Sequence, residues 1–123
     1  MKKIRVALCA LTVGLGVLAV PSPAMASAWS CPAGFLCVYK DANGQGSRWT
    51  WLGGDEQLNF NDGTKYFDGT SLNDSISSIF NNSNYAAKFC TDKNFGGHCL
   101  VYPAHSKTAQ VYYNEQYSSM TTV

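Results

Sequence analysis

The sequence predicts a small all-β sandwich, made from one four-stranded unit used twice and stapled by two disulfides. Three observations predict it. Short β-rich runs are cut by turn residues at regular intervals, two pairs of motifs recur in the same order, and four cysteines remain in residues 29–123.

The first 28 residues read as an export signal that is removed. Lys2, Lys3 and Arg5 make a basic start, and Val6–Val20 an apolar run. Ala24-Met25-Ala26, with Ser27-Ala28 behind it, is a small-residue cleavage region, cut after Ala26 or Ala28. The apolar run of about fifteen residues is shorter than the roughly twenty that cross a bilayer. The expected mature chain, 29–123, is therefore secreted and extracellular. The signal takes three of the nine basic residues and none of the eight acidic ones, leaving a formal charge of −2. That balance is no footprint for nucleic acid or for an anionic membrane.

A chain this small buries a modest share of its surface and gains from covalent help. Cys9 leaves with the signal, and Cys31, Cys37, Cys90 and Cys99 remain. In an exported small domain an even count reads as two disulfides. Three pairings are open; Cys31–Cys37 with Cys90–Cys99 is the most economical, each bridge closing a short turn-rich stretch. By loop entropy each contributes about 2–3 kcal/mol. Zinc competes weakly, because no CxxC pair is present.

No window of the mature chain has a 3.6-residue apolar period, and Gly, Asn, Asp and Ser recur too often for a useful helix. The expected strands, in order, are Leu36–Tyr39, Arg48–Leu52, Ser75–Phe80, Tyr85–Phe89, His98–Tyr102, Ala109–Tyr113 and Ser119–Val123. A weaker run at Leu58–Phe60 makes eight.

The repeat organises these strands. Asp41-Ala42-Asn43-Gly44-Gln45-Gly46 resembles Asp92-Lys93-Asn94-Phe95-Gly96-Gly97, 51 residues later. Asn73-Asp74-Ser75-Ile76-Ser77-Ser78 resembles Asn114-Glu115-Gln116-Tyr117-Ser118-Ser119, 41 residues later. Two copies of one unit follow, motif one at about 31–80 and motif two at about 85–123, with about ten extra residues inserted in the first. The boundary falls at Asn81-Asn82-Ser83-Asn84, and two four-stranded units suggest two Greek keys packed face to face.

An aromatic residue, a turn ending in Gly and a later Asn/Asp-Asn/Asp-x-x-Ser/Thr-Ser stretch are similar to the βγ-crystallin motif. Copy one has Tyr39 and Gly46, with Gly44 where a second aromatic is usual. Copy two has Phe95 and Gly97, with Cys90 in place of the leading aromatic. The opening Ser30-Cys31-Pro32-Ala33-Gly34-Phe35-Leu36-Cys37-Val38-Tyr39 resembles that of the streptomycete metalloproteinase inhibitors, small exported βγ-crystallin-like domains with two local disulfides. The resemblance implies a βγ-crystallin-like sandwich that inhibits an extracellular metalloproteinase. Its inhibitory loop would lie at the second disulfide, at the bond Cys90–Thr91, with Phe95 the better occupant of an apolar enzyme pocket. Family loops there are short, whereas Thr91–His98 places eight residues between the cysteines.

The resemblance also implies calcium. Asn73, Asp74 and Ser77 in copy one, and Asn114, Glu115 and Ser118 in copy two, offer hard oxygens, with Ser75 and Gln116 lending carbonyls. So few formal charges imply weak Ca²⁺ sites, on the order of 10⁻⁴ to 10⁻³ M. The competing reading makes these side chains hydrogen-bonding members of the hairpins. A calcium-binding module with a structural or surface-recognition role is thus the alternative function.

An enzyme is not expected. The mature chain has only His98 and His105, no nucleophile elbow and no zinc-protease helix motif. Asp55, Glu56, Asp62 and Asp68 read as solvated loop charge. Trp29, Trp49, Trp51, Tyr66 and Phe67 could form a sugar-binding platform, although aromatics in small sandwiches are mostly core. The inserted Asn61–Gly69 is where exposed ones are expected. The protein is expected to act as a monomer.

Overall fold

Eight short strands form in this computed structural model, which describes residues 28–123. They are β1 (Phe35–Tyr39), β2 (Arg48–Leu52), β3 (Glu56–Gln57), β4 (Ser78–Asn81), β5 (Ala87–Cys90), β6 (Cys99–Tyr102), β7 (Ser106–Thr108) and β8 (Ser119–Thr122). The expected signal segment lies outside the described residues apart from Ala28.

Two antiparallel four-stranded sheets result, in the orders β2-β1-β4-β7 and β3-β8-β5-β6. Each copy lends its third strand to the other's sheet. Copy one's β3 pairs with β8, Gln57 opposite Met120, and copy two's β7 pairs with β4, Ile79 opposite Thr108. Neither Greek key is complete alone, so the two are interlocked by this exchange, which the repeat by itself does not report.

The alternation along each strand fills the space between the sheets. Leu36, Val38, Trp51 and Ile79 from one sheet meet Ala87, Phe89, Tyr102 and Met120 from the other, and Phe60, Val111 and Tyr117 enter from loops. Phe89 is the hub of the aromatic core, with ring centroids at 5.4 Å from Tyr117, 5.6 Å from Tyr102 and 6.0 Å from Trp51. The Tyr102 and Tyr117 hydroxyls are hydrogen-bonded to each other, which satisfies two polar atoms inside that core.

Strand β1 is buried on both faces because an arm of the chain covers its outer side. Trp29 of that arm sits edge-on to Tyr39 at 5.7 Å and to Phe80 at 6.3 Å. The Cys31–Cys37 bridge ties the arm to β1, and Cys90–Cys99 joins directly opposed residues of β5 and β6. Both local pairings thus form. The boundary run is held by Asn81, fully buried, whose Nδ2 donates to the carbonyls of Tyr85 and Tyr102 while its Oδ1 accepts from Ser83.

Three expected strands move. Ala109–Tyr113 is not a strand; the third strand of copy two is Ser106–Thr108, and Val111 instead anchors a turn by donating to the Ser77 carbonyl. Its counterpart Phe60 donates to the Ser118 carbonyl, so the Leu58–Phe60 strand also shifts back, to Glu56–Gln57. In both cases one apolar residue, Phe60 or Val111, closes the core end-on, where burial outweighs ladder pairing. Ser75–Ser77 likewise precede β4 rather than belonging to it, because Asp74 turns there with φ 53°.

The ten-residue surplus of copy one lies between Phe60 and Leu72. It forms a small hairpin with Lys65 bridged to Ser71, and its Phe67 amide docks on the Arg48 carbonyl at the β2 edge. Among the described residues no helix is long and apolar enough to cross a membrane.

Candidate functional site

The two repeat motifs build two matching folded hairpins, 40–47 and 91–98. In the first, the Lys40 amide donates to Ser47 at 2.9 Å and the Asp41 amide to Gln45 at 3.1 Å. In the second, Thr91 donates to His98 at 3.0 Å and Asp92 to Gly96 at 3.1 Å. Asn43 and Asn94 take left-handed φ of 60° and 57°, which Asn tolerates better than most residues, and Gly46 and Gly97 take 77° and 74°. One serine clamps each hairpin. Ser78 Oγ donates to the Asp41 carbonyl at 2.6 Å and accepts from the Gly44 amide; Ser119 Oγ donates to the Asp92 carbonyl at 2.6 Å and accepts from the Phe95 amide. The last serine of each Asn/Asp-rich motif, the neighbour of candidate ligand Ser77 or Ser118, is thus hairpin-clamping.

Gly44 departs from this symmetry. It stands where copy two has Phe95, and a Cβ there would overlap the Trp29 indole. The Trp29 amide donates to the Gly44 carbonyl at 3.0 Å, and Lys107 Nζ lies 5.8 Å from the indole. The arm therefore supplies the aromatic group that position 44 lacks. The missing aromatic is visible in the sequence and its substitute is not; the tryptophan just upstream of the first disulfide is the one signal of it.

The second hairpin stands on the Cys90–Cys99 bridge. Cys90 is fully buried, its carbonyl accepts from the Ser118 amide at 2.9 Å, and the Thr91 amide is paired with His98. The Cys90–Thr91 bond is therefore the foot of the hairpin. Its tip is Asp92, Lys93 and Asn94, all exposed, while Phe95 is half-buried. Besides the pairings above, the Asn94 amide donates to Leu58, Gly96 to Lys93 and His98 to Thr91 Oγ1. Six of the eight loop amides are tied down.

The candidate calcium residues meet across the two copies. Asp74 and Glu115 share the left-handed conformation, and each donates its amide across the pseudo-dyad, Asp74 to Tyr117 at 3.1 Å and Glu115 to Ile76 at 2.9 Å. Ser118 Oγ donates to Asp74 Oδ1 at 3.0 Å, and Asn73 Nδ2 to Asp74 Oδ2 at 3.2 Å. Asn73, Asp74 and Ser118 are thus brought together. Ser75 has its hydroxyl turned to Tyr66 and to the Ser71 and Leu72 carbonyls. On the other side Asn114, Glu115 and Gln116 are exposed and Ser77 is buried, with no side-chain bond joining Glu115 to Ser77 among the described residues. The hard-oxygen donors of the Asp74 side suit Ca²⁺; a single carboxylate there keeps its charge low, and no group of three or more His, Cys, Asp or Glu side chains gathers among the described residues.

One groove of about 650 Å³ joins these features. Asn73, Asp74 and Ser118 form one wall and Thr91–Asn94 and Gly96 the other. Of the five aromatics considered for a platform, Trp51 and Tyr66 are core, Trp29 and Trp49 are half-buried, and Phe67 is 62% exposed. The most open aromatic is Tyr112, outside the inserted stretch where exposure was expected; it packs edge-on to Tyr113, which stacks on His98 at 5.3 Å.

Comparison with known proteins follows the same lines. A family model described as peptidase inhibitor family I36 matches residues 24–102. A solved structure bearing on the evolution of the eye-lens βγ-crystallin domain fold is 26% identical, with a TM-score of 0.64, covering 76% of this chain and 90% of its own. A βγ-crystallin domain from Flavobacterium johnsoniae is 30% identical, with a TM-score of 0.56, covering 72% and 92%. A βγ-crystallin from Ciona intestinalis, at 18% identity and a TM-score of 0.58, covers 73% and 100% and shares the fold alone. No curated protein matches.

Proposed function

We propose, from the premise that this chain belongs to peptidase inhibitor family I36, that it blocks an extracellular metalloproteinase through its second hairpin. The observation that carries the reading is the restraint on Thr91–His98. A disulfide closes its foot, Ser119 clamps its middle, and six amides are paired while Asp92, Lys93 and Asn94 stay exposed. A loop already ordered costs little entropy to bind, and a paired backbone resists being drawn open for cleavage. Cys90 and Thr91 anchor the contact from below, and Phe95 contributes its half-buried ring. Two disulfides suit an oxidising, extracellular setting after removal of residues 1–28 as a signal. The role is binding, without catalysis.

The test is a titration of a thermolysin-like metalloproteinase and of a serine proteinase with the mature protein. Metalloproteinase activity is expected to fall to baseline near one equivalent and serine proteinase activity to persist. Full activity of both at excess protein would sink the reading.

A second role is favoured by the bridge from Asp74 to Ser118. We propose that Asn73, Asp74 and Ser118, with the Ser75 carbonyl, bind one Ca²⁺ weakly, and that Ser77, Asn114, Glu115 and Gln116 form a poorer counterpart. Because Asp74 shares its groove with the second hairpin, such an ion would further stiffen the inhibitory loop. With a dissociation constant of about 10⁻⁴ M, 1 mM Ca²⁺ would add about 1.4 kcal/mol of stability.

A further inference from the structure

A cavity of about 320 Å³ lies on the first copy, on the hairpin 40–47 and away from the groove just described. Its walls are Ser30, Tyr39, Arg48, Phe67 and the backbone at Gly46 and Ser47. Arg48 opens β2 and is half-buried. Its Nη1 donates to the carbonyl and hydroxyl of Ser30, its guanidinium lies 5.5 Å from the Phe67 ring centre, and its Nε is buried without a partner. Among the described residues no carboxylate pairs with it. Asp68, the acid at the adjoining hairpin tip, is taken up by Lys40 at 3.5 Å and by Thr70.

The second copy explains a further free donor. There the His98 amide donates to Thr91 Oγ1, whereas Lys40 replaces that threonine in copy one. The Ser47 amide consequently has no acceptor among the described residues.

A partly desolvated guanidinium without a counter-charge is unfavourable, and its forked donors match a carboxylate. Phe67, 62% exposed, adds an open aromatic face beside it. The volume is at the lower end for small-ligand sites and suits one residue-sized group. We propose that this cavity binds a free carboxylate bearing one apolar or aromatic group. The carboxylate meets Arg48 and the Ser47 amide, and the group lies against Phe67. A small organic acid and the C-terminus of a cleaved peptide present the same chemistry.

The test follows the Arg48 Nε–H and the Gly46 and Ser47 amides by NMR during titration of the mature protein. The probes are N-acetylphenylalanine, its carboxamide and a tripeptide ending in phenylalanine. Both acids are expected to give saturable shifts at all three groups, with dissociation constants on the order of 1–10 mM. The carboxamide is expected to give none, and Phe67→Ala, folded by its own spectrum, to weaken binding about fivefold. Tighter binding of the tripeptide assigns the site to polypeptide C-termini, and equal or weaker binding to small acids. No saturable shift up to about 50 mM, an equal response to the carboxamide, or unchanged binding in Phe67→Ala would overturn the proposal.

Discussion

Ser78 and Ser119 show how much one side chain can organise here. Each accepts one backbone amide and donates to one carbonyl of its hairpin, and each is fully buried. Truncation leaves two backbone groups without partners, so Ser119→Ala is expected to lower unfolding free energy by about 1–3 kcal/mol in denaturant melts. A change below a few tenths would show that the clamp is dispensable. Asp74 makes the second residue-scale expectation. Millimolar Ca²⁺ should raise the melting temperature by roughly 5–10 °C over chelator, and Asp74→Asn should erase most of that shift. Superimposable wild-type curves would remove the calcium role and leave Asp74 as a partner of Ser118. These motifs were legible as repeats, but the Asp74–Ser118 contact spans 44 residues. No local pattern reports a contact that distant.

At the scale of elements, the arm and the first hairpin form one unit. Trp29 fills the space that an aromatic at position 44 would occupy, and Gly44 has φ 67° where Phe95 has 61°. Phenylalanine evidently tolerates that backbone in copy two. Trp29→Ala is therefore expected to cost about 2–3 kcal/mol, and Gly44→Phe alone to destabilise by overlap with the indole. Combined, they should recover about half of the Trp29→Ala loss, measured by thermal melts. Additive losses would mean that the arm and the missing aromatic are unrelated. Strands with clean alternation, such as Arg48–Leu52, were legible to the residue. The third strands were not: Ser106-Lys107-Thr108 carries little β signal, and its pairing partner β4 belongs to the other copy. The aromatic run at Ala109–Tyr113 looked like a strand because β propensity reflects burial as much as pairing.

For the molecule as a whole, the exchange of third strands makes two Greek keys one cooperative body, and a single unfolding transition is expected. Alkali should expose the tyrosine core. Burial raises Tyr39 and Tyr66 from 10.0 to about 12, and raises Tyr102 and Tyr117 as well. A group raised on folding stabilises fully below its unfolded value, so stability is expected to hold up to pH about 10 and then fall through pH 12. Phenolate absorbance should rise late for these four tyrosines and together with unfolding. Ionisation of all seven tyrosines near pH 10 with the fold intact would contradict the buried aromatic core. The inhibitory role is tested most directly by hydrogen exchange of the mature protein, alone and saturated with a thermolysin-like metalloproteinase. The amides of Thr91, Asp92, Asn94, Phe95, Gly96 and His98 are expected to exchange slowly in the free protein and more slowly still in the mixture. The added protection should centre on the hairpin and the groove beside Asp74. Fast exchange of the free hairpin, no added protection, or protection confined to another face would contradict it.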